Sequence, residues 1–121
     1  MSKTAIPVFD TSDMQAAVLR PRPSPYKGEY VVFHIDDATQ GREMLRRIIP
    51  YVAPAEEWWV PSIPAWFGIV FTYHGLKALG LPQGSLDSLP EEFRQGMTAR
   101  ASILNDIGDN APANWEQPFG N

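Results

Sequence analysis

The chain carries two histidines and no cysteine, so the usual catalytic and metal-ligating chemistry has to start from His34, His74 or a carboxylate. Disulfides, thiolate metal sites, iron–sulfur clusters and thiol nucleophiles are excluded within these residues. His34 stands between Phe33 and Ile35 in an apolar run, where a hydrogen-bonded histidine of a core or sheet face is a simpler reading than a ligand. His74, beside Gly75, falls in the first turn of a short helix, where partial exposure explains it as well as any role. The carboxylates come as adjacent pairs, Asp36-Asp37, Glu56-Glu57 and Glu91-Glu92. Sequence neighbours point to different faces, so these pairs read as helix caps or solvated surface rather than acid–base dyads. No HExxH, His-x-Glu with paired Cys, GxSxG or glycine-rich phosphate loop occurs, which removes the common signals of metal, serine-nucleophile and nucleotide sites. Trp58, Trp59, Trp66 and Trp115 could pass electrons to a surface, but aromatic residues in a small domain are usually core, and the sequence leaves both roles open. No catalytic, cofactor-binding or metal-ligating residue is assigned from the residues alone.

The elements that would position such groups are few. With 121 residues, 44% of them hydrophobic, the chain has room for one modest core. A net charge of −4 without any Lys/Arg block gives no electrostatic footprint for nucleic acid or an anionic membrane. No apolar stretch has the length of a signal peptide core or of a membrane span, so a cytoplasmic protein is expected.

Residues 1–29 read as an arm or loop, because Pro21, Pro23 and Pro25 remove backbone donors and favour extended backbone. A short helical or extended piece fits 13–19. Residues 30–35 are β-branched or aromatic at nearly every position and predict a buried strand. Asp37 and Gln40 resemble a capping box that starts a helix with Met44, Leu45, Ile48 and Ile49 on one face, stopped between Pro50 and Pro54. Residues 56–64, with Trp58 and Trp59 among prolines, predict a loop. Residues 65–72 predict a second buried strand, with Gly68 marking a close backbone approach. Thr72 is placed to cap a helix over 73–79 that Gly80 and Pro82 end. Ser88-Leu89-Pro90-Glu91 resembles another capping box. It would open a longer helix whose stripe of Phe93, Met97, Ala101 and Leu104 runs to Gly108. The tail 109–121, with Pro112 and Pro118 around Trp115, is irregular. The sum is an α+β domain with two strands and three helices.

One segment brings a family into view. Phe71-Thr72-Tyr73-His74-Gly75-Leu76-Lys77-Ala78-Leu79-Gly80-Leu81-Pro82 resembles the F-T-Y-x-G-L-x-A-L-G-L-P signature of dye-decolorising-type (Dyp-type) haem peroxidases. Pro90-Glu91-Glu92-Phe93-Arg94-Gln95-Gly96-Met97, followed by Ala99-Arg100-Ala101, is similar to the P-x-E-F-x-x-G-M-x-x-R-A helix of that family. Gly108, Ala111-Pro112, Asn114-Trp115 and Pro118 resemble the segment after it. Asp13-Met14-Gln15 is similar to the D-I-Q-G opening, although Ala16 stands where the family has glycine. The match runs from about residue 65 to 120, with weaker support from 13 to 50.

The resemblance implies a ferredoxin-like fold, doubled in the full protein. It also implies haem b as cofactor and a hydrogen-peroxide-dependent oxidation of dyes and phenols. The family's distal acid is the Asp of G-x-x-D-G, helped by an Arg, and its iron is held by a proximal His. All lie downstream of the matched segments. G-x-x-D-G is absent from this sequence, and neither His34 nor His74 lies in a matching context, so no site residue carries over. The fold expected for 30–121 is therefore an incomplete ferredoxin-like domain: β-α-β, then two helices and an irregular tail. In a split βαβ unit a later strand lies between the first two, and here none follows.

Three readings result. The first is an amino-terminal fragment of a haem peroxidase, inactive and without bound haem on its own, whose partner is the missing carboxy-terminal part of the same protein. The second is a non-catalytic α+β module that binds a partner or forms a homo-oligomer. The third has His34 or His74 ligating haem in a dimer, and has least in its favour. Nucleic acid and membrane are not expected partners.

Overall fold

The computed structural model describes residues 9–19, 27–56 and 65–119. Its regular elements are helices: α1 (Ala16–Leu19), α2 (Ala38–Ile48), α3 (Tyr73–Ala78), α4 (Gln83–Asp87), α5 (Glu91–Ala99) and α6 (Ala101–Leu104), with single 3-10 turns at Ile49–Tyr51, Gly108–Asn110 and Pro112–Asn114. Among the described residues no helix is long and apolar enough to cross a membrane. Most of the Pro-rich arm, and the loop carrying Trp58 and Trp59, lie outside the described residues.

This corrects the fold expected from sequence. Among the described residues there is no sheet, and the one β-bridge joins Gln15 to Pro54, so neither an α+β domain nor an incomplete ferredoxin-like β-α-β unit is formed. Residues 30–35 and 65–72 are not strands. Nor are they buried: Tyr30, Val31, Val32 and Phe33 are 84%, 69%, 57% and 57% exposed, and Phe67, Val70 and Phe71 are exposed as well. The physical reason is that β-propensity describes a fit to a pleated neighbour rather than a backbone preference. Without an adjacent strand, a β-branched run has nothing to pair with.

The contacts divide the chain into two compact units, Met1–Glu29 with Leu45–Val70, and Tyr30–Met44 with Phe71–Asn121. In the first, backbone bonds from Ala16 N to Ala53 O (2.8 Å), Ala55 N to Met14 O (2.7 Å), Glu56 N to Thr11 O (3.1 Å) and Ala53 N to Phe67 O (3.1 Å) tie three segments together. Gln15 completes the join with its side chain. Its Nε2 donates to Ile69 O at 2.9 Å and its Oε1 accepts from Ile69 N at 2.8 Å, which is the pairing a neighbouring strand would have supplied. The close approach read from Gly68 is explained by the same amide, since a Cβ there would stand 3.2 Å from Gln15 Oε1. In this unit Ala16, Ala53 and Ala55 are buried.

The second unit rests on α2 as far as Met44, on α3 and on α4. Asp37 Oδ1 accepts from Gln40 N at 2.8 Å, as the expected cap requires, and Met44 is half-buried, as are Leu45 and Ile48 in the part of α2 assigned to the first unit, while Ile49 is exposed. Thr72 Oγ1 accepts from Gly75 N at 3.0 Å and opens α3. Gly80, at φ +84°, adopts the left-handed conformation that ends such helices. Arg42 then donates to Leu79 O at 2.6 Å, satisfying a carbonyl that the helix end leaves free. The helix over 83–87 has no counterpart in the sequence reading. The second capping box is not formed: α5 starts after Pro90 without a side-chain cap, and the Ser88 hydroxyl donates backwards to Ser85 O at 2.7 Å.

Two substitutions probe these joins. Leu86 is 2% exposed and is the largest fully buried side chain among the described residues, so Leu86→Ala should lower the unfolding free energy by about 2–5 kcal/mol in denaturant titration, whereas Leu104→Ala, exposed, should cost under about 1 kcal/mol. Gln15→Glu keeps the acceptor and loses the donor to Ile69 O. It should cost about 1–3 kcal/mol, and amide exchange at Ile69 should quicken more in Gln15→Ala than in Gln15→Glu.

Candidate functional site

One concave feature of the second unit is an open groove of about 540 Å³ between the residues that lead into α3 and the length of α5. Its apolar walls are Phe71, Phe93, Met97 and Leu104, and Glu92, Arg94 and Arg100 stand among them. Of its polar groups, Thr72 Oγ1 is occupied by the α3 cap and Arg100 Nη1 donates to Gln95 Oε1 at 3.2 Å. The ring of His74 meets that of Tyr73 edge-on, with centroids 5.6 Å apart and planes at 74°.

Gly96 shapes the groove. It sits inside α5 at φ +73°, ψ 176°, a region open to glycine and strained for other residues. The stripe of Phe93, Met97, Ala101 and Leu104 expected on one continuous helix is therefore broken. Arg100 separates α5 from α6, and Asn105, at φ +62°, ends α6. Phe93, Met97 and Leu104 remain on the surface, where they wall the groove instead of packing into a core.

The residues considered for chemistry do not converge. His34, expected in a core or on a sheet face, is exposed, and its Nδ1 lies 2.8 Å from Asp36 Oδ1 with both side chains nearly nine-tenths accessible. His74 is exposed in the first turn of α3. Among the described residues no three His, Asp or Glu side chains gather as metal ligands. Asp36 is engaged with His34, Asp37 caps α2, and Glu91 accepts from Gln95 Nε2 at 2.7 Å, so these carboxylates serve local contacts, while Glu57 of the remaining pair lies outside the described residues. Asp10 illustrates the same habit. The Ser12 hydroxyl and amide donate to its carboxylate and hold it below the ordinary aspartate range, which is a turn rather than a site. Trp66 and Trp115 are half-buried, and the Trp115 indole donates to Asn110 O at 2.9 Å. Trp58 and Trp59 lie outside the described residues.

No protein-family model matches this chain, and no curated protein matches it either. The groove has to be read by its chemistry alone. Apolar walls with cationic and anionic groups among them suit contact with another protein surface.

The groove depends on the kink. Gly96→Ala should cost about 1–3 kcal/mol through the strained conformation, read as a lower melting temperature. An equal or higher stability would mean that α5 runs straight through position 96 and that the groove is not the resting form.

Proposed function

We propose that this chain is the amino-terminal part of a haem-dependent peroxidase of the kind it resembles, and that it serves as scaffold while the reacting groups lie in the remainder of the protein. The supporting observation is the ordered set of resembling segments, at 71–82, 90–101 and 108–118, together with the local use of the residues that define the first. Thr72 caps α3, and Gly80 takes the left-handed turn after it. These residues do specific conformational work.

The described residues do not fit haem themselves. A porphyrin needs an enclosed apolar slot and an axial ligand, and here His34 and His74 are both exposed, with His34 engaged by Asp36. No catalytic step is assigned to this chain. The activity proposed for the full protein is oxidation of bulky dyes or phenols at the expense of hydrogen peroxide. In that protein the groove formed by Phe71, Phe93, Met97 and Leu104 would be covered by the rest of the polypeptide, since apolar side chains left on a surface usually mark an interface.

Reading the gene past the codon for Asn121 tests the proposal directly. A continuing frame that encodes G-x-x-D-G and a later histidine is expected. The purified full-frame product should show a Soret band and bleach a dye only when peroxide is added. A stop codon at that point, or a full-frame product that takes up no haem, overturns the reading.

A further inference from the structure

Residues 30–35 stand out from the rest of the surface. Val31, Val32 and Phe33 are three consecutive exposed apolar residues, and no β-bridge joins 31–35 to any other described residue. The stretch contains no proline or glycine and no side chain of fixed charge, the composition that favours pairing with another strand. We propose that residues 27–37 pair antiparallel with the same residues of a second copy of this chain, about a two-fold axis that passes between the two Val32 residues.

Symmetry and charge select this register. Side chains of paired residues lie on the same face of a sheet, and two antiparallel copies can be exchanged only by a two-fold axis perpendicular to that sheet. Every residue must then face one of its own parity, so the centre is a residue opposite itself. Centred on Phe33, the pairing sets Glu29 against Asp37, and like charges directly opposite are unfavourable. Centred on Val31, it sets Lys27 against Ile35 and Glu29 against Phe33, which leaves both signs without a partner. Centred on Val32, it sets Lys27 of each copy against Asp37 of the other, Glu29 against Ile35 and Val31 against Phe33, with Val32 against itself, so that Lys27 gains the partner the other registers deny it. A parallel in-register arrangement would stack Glu29, Asp36 and Asp37 on their own copies. The favoured arrangement also tolerates the contacts already present. His34 and Asp36 stay on one face, and Asp37 needs only one oxygen for the Gln40 amide. This inference does not depend on the peroxidase reading.

The test uses single-cysteine variants of the full chain, which has no cysteine of its own. Facing residues of an antiparallel pair have Cα atoms about 4.5–5.5 Å apart, within the range a disulfide spans. Under mild oxidation Val32→Cys should link to itself. Val31→Cys and Phe33→Cys should each stay largely unlinked alone and form a mixed disulfide when combined. In sedimentation, Lys27→Asp should weaken the dimer about fivefold or more, since each dimer exchanges two opposite-charge pairs for two like-charge ones. Adding Asp37→Asn, which keeps a capping side chain, should restore part of that loss. The proposal is overturned if the chain sediments as a monomer at the concentrations used for cross-linking. Self-linking of Val31→Cys as fast as Val32→Cys, or an unchanged dimer in Lys27→Asp, would overturn it equally.

Discussion

The absence of a side chain at Gly41 is the constraint on which the second unit depends. A Cβ at that position would stand 2.9 Å from Leu79 Cδ2 and 3.0 Å from Ile35 Cγ2, inside the separations that carbon atoms tolerate. Because the space is free, Leu79 lies buried against the backbone of α2, and the neighbouring Arg42 reaches the carbonyl of the same leucine. One residue is thus held through its side chain and its backbone at once. That grip fixes the end of α3, and with it the turn through Gly80 and Pro82 that sends the chain into α4 and buries Leu86. The other requirement, an intact start to α3, is met by Thr72.

The first unit is held differently. The described residues bury three alanines there and no large apolar side chain, and an alanine contributes little hydrophobic free energy because it removes little area from water. Its cohesion comes from hydrogen bonds between segments distant in sequence, each contributing about 0.5–1.5 kcal/mol net. Regions built this way open locally more easily than cores do. The contrast between one leucine-centred unit and one held by hydrogen bonds therefore concerns mechanical behaviour as much as composition.

What could be read from the sequence was local. Thr72, Asp37 and Gly80 act through bonds or torsions that reach only a few residues along the chain, and each does what its type and spacing predict. The errors arose where the outcome depends on something distant. Residues 30–35 and 65–72 have strand composition, but composition cannot supply a neighbour. The stripe of Phe93, Met97, Ala101 and Leu104 has helical spacing, yet Gly96 sits within it at a torsion that spacing alone does not reveal. Ser88 was expected to cap the helix that follows and instead belongs to the one before, because Gln83–Asp87 forms a helix of its own, with Gln83 Nε2 donating to Asp87 Oδ1 at 2.8 Å. Of the groove, the sequence showed the apolar wall residues Phe71, Phe93, Met97 and Leu104 and none of the concavity, since the kink at Gly96 inside α5 is not legible from spacing.

The manner in which Gln15 meets Ile69 carries a consequence for alignment along the chain. Two paired backbones can slide by two residues and recover equivalent bonds, since every peptide unit offers the same donor and acceptor. A carboxamide has no such equivalent two positions away. Met14 is followed by one glutamine only, so the segment around Ile69 finds its complement at a single offset. The side chain thus works as a register pin, choosing one alignment among several that the main chain alone would accept.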